Sequence, residues 1–353
     1  MRRLPIYFLI DVSESMVGDP ISEVQDGIAN IIQELKTDPR ALETVWISII
    51  VFAGEAKTLV PLQDIISFYP PKFPIGSGTS LGKGLGHLMF ELRKNLVRTT
   101  AQQKGDWKPI VFLFTDGVPT DDSSIAIREW QNNWRSTANL VAVSLGDGAD
   151  THILNQLTEN IIHLKNTDHT AYKEFFKWVT DSIKTSSESV ENNKSGFELA
   201  NLRSDNLEEV DVTKDIPTEN RNKVDDNFVV ISALCQNTKK NYLMKYKKVI
   251  KPSMFGGVEL GTKAYRLNGA YQVDDHTYKE LSGNNEVNFT VNTEELIGAP
   301  TCPCCGNQIA FAVCQCTQIH CIGDEEVSTC PGCGNQGRYG AGTGGFDVNR
   351  TQG

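Results

Sequence analysis

Two apolar runs, each closely followed by an aspartate, most strongly constrain how this chain can fold. Residues 4–10 read LPIYFLI and precede Asp11, and residues 110–114 read IVFLF and shortly precede Asp116. Runs of this length and composition are typical of strands that are buried on both faces. We therefore expect both aspartates at the carboxyl edge of one sheet, which is where open α/β sheets bind their ligands.

Helical and strand patterns alternate through residue 185. Asp19-Pro20 can begin an amphipathic helix, because proline is favoured in the first helical turn. Residues 44–52 predict a strand, and residues 56–62 follow so closely that we expect an antiparallel strand at the sheet edge. The alternation predicts an α/β fold with a doubly wound, mostly parallel sheet.

Short oxygen-bearing side chains lie in three of the predicted loops. They are Asp11, Ser13 and Ser15 in DVSES, Thr79 in GSGTS, and Asp116 in TDGVPTDD. Oxygen ligands favour hard cations, so we expect magnesium, with manganese or calcium as alternatives. Magnesium takes one or two carboxylates and keeps several waters, which fits this set best and leaves a coordination position open.

These three segments, in this order, resemble the von Willebrand factor A domain over about residues 1–185. The resemblance implies a metal-ion-dependent adhesion site, in which the serines and the threonine supply hydroxyls and the aspartates act partly through water. It also implies that an exposed Asp or Glu of a partner protein completes the coordination. Helix capping or turn formation could explain each segment alone, but not their conjunction.

The rest of the chain divides by composition. Residues 186–226 are polar and predict a linker, with exposed loops of one larger domain as the alternative. Residues 227–336 contain short strand patterns rich in Val, Ile, Tyr and Phe, and predict a small β-rich domain. Residues 337–353 are rich in glycine and predict a flexible tail, for which a docking peptide is the alternative.

Eight of the nine cysteines lie between residues 302 and 333, which include the near-copies TCPCCGN and TCPGCGN. A C-P-x-C-G loop presents two thiolates from one tight turn, and two such loops supply the four sulfurs of a tetrahedral zinc site. Our first choice of zinc ligands is Cys302, Cys305, Cys330 and Cys333. The strand-like segment between the loops predicts a zinc ribbon. Disulfides are the alternative, but the paired spacing favours metal.

A second zinc ion is a further expectation, because more potential ligands lie between or within the two loops. They are Cys304, Cys314, Cys316, His320 and Cys321. These thiols could bind a second zinc, replace members of the first set, or simply pack in the core. Cys304 lies between two ligands of the first loop and is the least certain, and we expect the isolated Cys235 to be a core residue.

Together the two halves resemble one family, the TerY proteins, in which a von Willebrand A domain precedes a TerY C-terminal metal-binding domain. The segments NTEELIGAPTCPCCGN, FAVCQC, IHC and TCPGCGN carry the second half of the resemblance. It implies a cytoplasmic bacterial scaffold associated with tellurite resistance and stress response, and a kinase or phosphatase of the same gene cluster as a partner. The added thiol of Cys304 departs from the family pattern.

The charge of the chain argues against other classes of function. The net charge of −10, and the absence of Lys and Arg from residues 302–336, argue against nucleic-acid binding by the zinc module. The basic segment 239–251 is the one place where such binding could lie, although we expect a solvated strand face there. No apolar stretch reaches the length of a membrane span.

A metal-dependent phosphohydrolase with Asp11 as nucleophile is the enzymatic alternative. Such an enzyme needs a proton-transferring acid two residues later, where this chain has Ser13. We therefore expect a protein that is not an enzyme.

Overall fold

Two sheets organise the chain in the computed structural model, which describes residues 2–145, 149–165, 168–191, 197, 199–201, 206–210, 227–255, 258–283, 289–340 and 344–351. We call the part that carries the first sheet (4–210) the first domain and the part that carries the second sheet (227–351) the second domain. The strands of the first domain are β1 (Leu4–Asp11), β2 (Val45–Phe52), β3 (Ala56–Asp64), β4 (Ile110–Thr115), β5 (Asn139–Leu145), β6 (Asn160–Leu164) and β7 (Leu207–Glu209). Its helices are α1 (Asp19–Leu35), α2 (Pro39–Thr44), α3 (Leu81–Asn95), α4 (Ser124–Asn133), α5 (Thr151–Leu157) and α6 (His169–Glu191).

The first sheet has the order β3-β2-β1-β4-β5-β6-β7. The pairs from β2 to β6 are parallel, whereas β3 and β7 pair antiparallel at the two edges. The predicted doubly wound, mostly parallel sheet and the antiparallel edge strand at residues 56–62 are therefore confirmed.

The helices cover both faces of this sheet, because each central strand buries alternate side chains on opposite sides. Phe8 and Ile10 pack in a cluster with residues of α1 and α6. Tyr7 and Leu9 pack in a second cluster with residues of α3, α4 and α5. Since the strands have no solvated face, their sequences read as continuous apolar runs.

The second domain contains ten strands and one α-helix among the residues that the structure describes. They are β8 (Phe228–Leu234), β9 (Asn241–Phe255), β10 (Val258–Gln272), α7 (Asp275–Leu281), β11 (Phe289–Asn292), β12 (Leu296–Ile297), β13 (Ile309–Val313), β14 (Ile319–Ile322), β15 (Ser328–Thr329), β16 (Gln336–Gly337) and β17 (Asp347–Arg350). Six of these strands form a sheet in the order β12-β10-β9-β8-β14-β13. A β-rich second domain is confirmed.

The structure differs from the sequence predictions at two boundaries. Within the predicted linker 186–226, α6 continues to Glu191 and β7 joins the first sheet, while residues 211–226 lie outside the described residues. Within the predicted tail 337–353, β17 pairs antiparallel with β11, and Arg350 Nη2 donates a hydrogen bond to Phe228 O at 2.6 Å. The prediction of a flexible tail is wrong for Asp347–Arg350, because backbone pairing and this side chain fix the segment.

Candidate metal sites

The five predicted oxygen ligands come together at the carboxyl edge of the first sheet, and we call this group the rim site. Asp11 ends β1 and Asp116 directly follows β4. These strands are parallel neighbours with Ile10 opposite Phe114, so both carboxylates leave the sheet at the same edge. Thr79 approaches from the loop between β3 and α3.

Hydrogen bonds connect the rim-site side chains to one another. The amide of Ser13 donates to Asp11 Oδ1 at 2.9 Å, and the Oγ atoms of Ser13 and Ser15 are 3.0 Å apart. Ser15 Oγ donates to Asp116 Oδ1 at 2.8 Å. A chain of short contacts therefore runs from the β1 loop to the β4 loop, with no large side chain between the oxygens.

Thr79 is fixed by backbone contacts with the loop that follows β4. Its amide donates to Thr120 Oγ1 and the amide of Thr120 donates to Thr79 O, both at 2.9 Å. A Cβ placed on Gly117 would lie 3.8 Å from Thr79 Oγ1 and 3.9 Å from Ser15 Oγ. The two hydroxyls therefore face the same small space beside Gly117.

The electrostatics of the rim site favour a cation. Asp11 is 0% exposed and Asp116 is 6% exposed. Burial, with the neighbouring Asp116, raises the pKa of Asp11 to about 7, and burial also raises the pKa of Asp116. A divalent cation between two carboxylates would stabilise their ionised forms and relieve their repulsion. Two carboxylates and three hydroxyls thus fit a hard divalent ion.

Two further charged side chains lie at the loop that carries Ser13 and Ser15, and the sequence analysis predicted a role for neither. Glu14 is fully buried, and its Oε1 accepts a hydrogen bond of 2.5 Å from the hydroxyl of Tyr278. Lys245 on β9 is 1% exposed and donates from Nζ to Ser15 O and, at 3.2 Å, to Val17 O. The expectation of a solvated basic strand is therefore wrong for Lys245, although Lys247 and Lys248 are exposed.

Both C-P-x-C-G loops adopt the conformation that their sequences predict. In the first, the amide of Cys302 donates to Asn307 O at 2.8 Å, and the amide of Gly306 donates to Cys302 O at 2.9 Å. The second repeats both bonds at equivalent positions, each at 2.9 Å. Gly306 and Gly334 have φ values of 80° and 77°, which disfavour a side chain and explain the glycine in each loop.

The two loops do not share one zinc site, and the predicted four-sulfur set is wrong as a single group. Cys302 and Cys305 cluster with Cys235 and Cys321, which we call the inner cluster. Cys330 and Cys333 cluster with Cys314 and Cys316, which we call the outer cluster. In each cluster the four sulfur atoms lie within 4.8 Å of one another. Each loop is thus completed by cysteines from other segments.

The sulfur spacing matches tetrahedral zinc. With Zn–S bonds of about 2.3 Å, a tetrahedron places its sulfurs about 3.8 Å apart. The Sγ atoms of Cys305 and Cys321 are 3.7 Å apart, and those of Cys235 and Cys321 are 3.9 Å apart. In the outer cluster the Sγ atoms of Cys314 and Cys333, and those of Cys316 and Cys330, are each 3.7 Å apart. These separations also exclude disulfides, so the cysteines are free thiols or metal ligands.

The remaining candidates take other roles. Cys304 and His320 belong to neither cluster in the described part of the chain. The His320 ring instead contacts the backbone oxygen of Cys321 and the Tyr339 hydroxyl, each at 2.9 Å. Cys235, expected to be only a core residue, is buried and also belongs to the inner cluster. The sequence could have indicated Cys235 as a metal ligand, because it lies at the end of a strand pattern and next to a Gln-Asn-Thr turn.

The environment of each cluster favours one thiolate in particular. Burial opposes ionisation of Cys235, but hydrogen bonds from Thr238 lower its pKa to about 6. In the outer cluster, a backbone hydrogen bond from Cys316 lowers the pKa of Cys314 to about 6. Contacts with the neighbouring thiols raise the pKa of Cys316 to about 12, so a bound cation is what would ionise this thiol.

Two family models match the chain. The model of the von Willebrand factor type A domain matches residues 6–178, and the model of the TerY-C metal binding domain matches residues 225–353. Domains of these two kinds typically act in protein interaction and metal binding. A comparison with curated proteins found no match.

Several solved structures are similar to part of this chain. Proximal thread matrix protein 1 from the mussel byssus has a TM-score of 0.38 and 19% identity, over 51% of this chain and 48% of its own. A von Willebrand factor type A protein from Catenulispora acidiphila has a TM-score of 0.37 and 14% identity, over 51% and 42%. The ArnB paralog VWA2 from Sulfolobus acidocaldarius has a TM-score of 0.39 and 12% identity, over 80% and 69%. The chain thus spans about half the length of the mussel protein.

No helix among the described residues combines the length and the apolar character that crossing a membrane requires.

Proposed function

Because this chain belongs to the TerY family, which joins a von Willebrand factor type A domain to a TerY-C metal-binding domain, we propose that it is a non-enzymatic scaffold for protein interactions. In this proposal the rim site holds magnesium, with manganese or calcium as alternatives, and the ion binds an exposed Asp or Glu of a partner protein. The family resemblance supports a cytoplasmic role in a bacterial tellurite-resistance or stress-response system, with a kinase or phosphatase of the same gene cluster as partner.

One observation carries this proposal: three separate chain segments place two carboxylates and three hydroxyls around one small space. A bound magnesium would supply a fixed positive charge with a position open to an outside oxygen. The chain's own part is to hold the oxygens in place. Ser13 N and Thr115 Oγ1 fix the two carboxylate oxygens of Asp11 at 2.9 and 2.7 Å.

The cysteine clusters support a structural role for zinc in the second domain. We propose one zinc ion in each cluster, because both have four sulfurs at tetrahedral spacing. Thiolate-bound zinc contributes free energy directly to folding, since the unfolded chain has no preformed site. The inner cluster joins β8 to β14 and to the first loop, and would therefore stabilise the sheet itself.

The two alternative functions lack comparable support. A phosphohydrolase would need an unhindered Asp11 oxygen and an acid beside it, but both Asp11 oxygens accept hydrogen bonds and Ser13 is in the place of the acid. A nucleic-acid-binding zinc module would need a basic surface, whereas the loop between β14 and β15 contains Asp324, Glu325 and Glu326.

Affinity capture from native cells tests the proposal. The full chain, Asp116→Ala and Asp26→Ala would each be used as bait, in magnesium and in EDTA. Asp26 is an exposed residue of α1 and serves as the matched control. The expected result is a partner that the full chain and Asp26→Ala retain in magnesium, that EDTA releases, and that Asp116→Ala does not bind.

Retention of the same partner by Asp116→Ala, or in EDTA, would refute a metal-bridged contact. Hydrolysis of a phosphate ester by the full chain, abolished in Asp11→Ala, would favour the enzymatic alternative instead. For the clusters, native mass spectrometry should find two zinc ions per chain.

A further inference from the structure

The second domain lies directly on the loop that carries the rim-site serines. Successive side chains of its central strands point to opposite faces of the sheet. Tyr242 and Met244 pack with cysteines of the inner cluster on one face. On the other face, Val230 and Leu243 pack against Val17, which follows the DVSES segment. One face of this sheet is therefore an interface with the first domain.

Hydrogen bonds from backbone amides also connect the domains. The amide of Glu55, after β2, donates to Leu281 O at 2.8 Å. The amide of Ser77, in the loop that carries Thr79, donates to Ser282 Oγ at 3.0 Å. Leu281 is 1% exposed and packs in a hydrophobic cluster of the first domain. The end of α7 is thus anchored beside the rim site.

Lys245 brings a positive charge to the rim site from this interface. It lies on the same strand face as Leu243, and its Nζ binds the carbonyl oxygens of Ser15 and Val17. Ser15 Oγ in turn donates to Asp116. Ser15 thus contacts the ammonium through its carbonyl oxygen and the carboxylate through its hydroxyl, so the positive charge of Lys245 lies close enough to act on Asp116 electrostatically.

In the docked arrangement the rim site offers an outside side chain little access. Its five residues are between 0% and 6% exposed, whereas an entering Asp or Glu side chain needs a path to the ion. The docked domain places the ammonium group of Lys245 at this loop. That group is positively charged, as a metal ion is. Lys245 and a divalent cation therefore compete for the same negative charge.

We propose that Lys245 and the docked second domain mask the rim site, so that a divalent cation and an acidic partner bind the form in which the second domain has withdrawn. The proposal rests on the proposed function of the rim site as a metal site. It makes Lys245 a residue that sets cation affinity, and the second domain the intramolecular competitor of the partner.

Cation titrations of three full-length variants test the proposal, with Mn²⁺ as the probe and its binding followed by electron paramagnetic resonance. Lys245→Met keeps the length of the side chain and removes the charge. Lys247→Met is the matched control, because Lys247 is exposed on the same strand face. Leu243→Gln weakens the interface while Lys245 keeps its charge, and it provides a second route if Lys245→Met does not fold.

We expect Lys245→Met to bind Mn²⁺ at least about tenfold more tightly than the unmodified chain, which corresponds to about 1.4 kcal/mol. Leu243→Gln should also bind more tightly, and Lys247→Met should bind unchanged. Hydrogen exchange supplies the second readout, since the amides of Glu55 and Ser77 are bonded across the interface. Adding Mn²⁺ to the unmodified chain should accelerate exchange at both amides.

The possible failures separate the two proposals. If all variants bind Mn²⁺ with equal affinity, or if Mn²⁺ slows exchange at Glu55 and Ser77, the mask is refuted while the metal site stands. If no variant binds Mn²⁺, or Asp116→Ala binds it as well as the unmodified chain does, the metal site itself is refuted.

Discussion

Replacing Gly27 by alanine should destabilise the first domain, although alanine is the better helix former. Gly27 is a buried residue of α1, the helix that begins just after the rim-site loop. A Cβ placed there would lie 2.0 Å from Cδ2 of Phe176 on α6. Carbon atoms pack at about 3.5–4.0 Å, so the helices must separate or the ring must move by roughly 1.5 Å.

Phe176 has little room to move. Its ring centroid lies 5.0 Å from that of Phe175, 6.0 Å from that of Phe114 and 6.5 Å from that of Tyr172. Overpacking of this kind costs about 1–3 kcal/mol, and a displacement this large favours the upper end. The gain in helix propensity from glycine to alanine is about 1 kcal/mol. We therefore expect a net loss of about 2 kcal/mol.

Gly86 provides the matched control. It lies inside α3, and a Cβ placed there would meet no heavy atom within 4 Å. The propensity term should then act alone, so Gly86→Ala should stabilise the domain by about 0.5–1 kcal/mol. The two substitutions have the same chemistry and opposite expected signs.

Urea titration followed by tryptophan fluorescence measures both effects. All five tryptophans lie between Trp46 and Trp178, so the signal reports on the first domain. With a slope of about 2 kcal/mol per molar urea, Gly27→Ala should lower the midpoint by about 1 M, and Gly86→Ala should raise it slightly. Equal increases for the two variants would refute the reasoning, since propensity alone would then govern both positions.

Three further predictions concern the second domain and its docking. Cys235→Ser should reduce the zinc content from two ions to one in native mass spectrometry, whereas Cys304→Ser should leave both ions bound. Of these two residues, Cys235 belongs to a cluster and Cys304 does not. Equal losses of zinc would contradict the cluster assignment. Leu281→Ala should accelerate exchange of the Glu55 amide and cost about 2–5 kcal/mol of docking free energy, because it empties a buried position; unchanged exchange would show that α7 is not an anchor. Tyr242→Phe should lower the stability of the second domain by about 1 kcal/mol in thermal unfolding, because it leaves Ala310 O without the 2.5 Å bond from the Tyr242 hydroxyl; an unchanged melting temperature would count against that bond.

The sequence predicted the first domain and the members of the rim site well, because both depend on strong local patterns. A continuous apolar run is difficult to place anywhere except in a strand covered on both faces. The carboxyl ends of parallel strands then bring their following residues together. Asp11 and Asp116 could therefore be placed side by side without knowledge of any long-range contact.

The pairing of the cysteines could not be predicted in the same way. The two C-P-x-C-G loops are local structures, but their partners depend on how β8 and β14 meet in the sheet, where His320 lies opposite Leu234. That parallel pairing places Cys235 beside Cys321, although 86 residues separate them in the chain. Nothing in the loop sequences specifies this contact.

Burial of Lys245 escaped prediction for a related reason. The segment around it contains several lysines, and composition alone indicates a solvated strand. Strand alternation places Lys245 on the same face as Leu243. This apolar residue two positions earlier was the one feature of the sequence that could have indicated burial of Lys245. Which face would meet another domain depends on docking, and docking has no local pattern.

Under both proposals, the two faces of the second sheet link zinc binding to access at the rim site. Cys235 directly follows β8, and the same strand places Val230 against Val17 of the first domain. The adjacent strand β9 packs Met244 with the inner cluster and directs Lys245 to the rim-site loop. Loss of the inner zinc would weaken the connection between β8 and β14, and with it the support for the face that masks the rim site. A chelator or thiol-reactive agent acting on one face would therefore expose a magnesium site on the other.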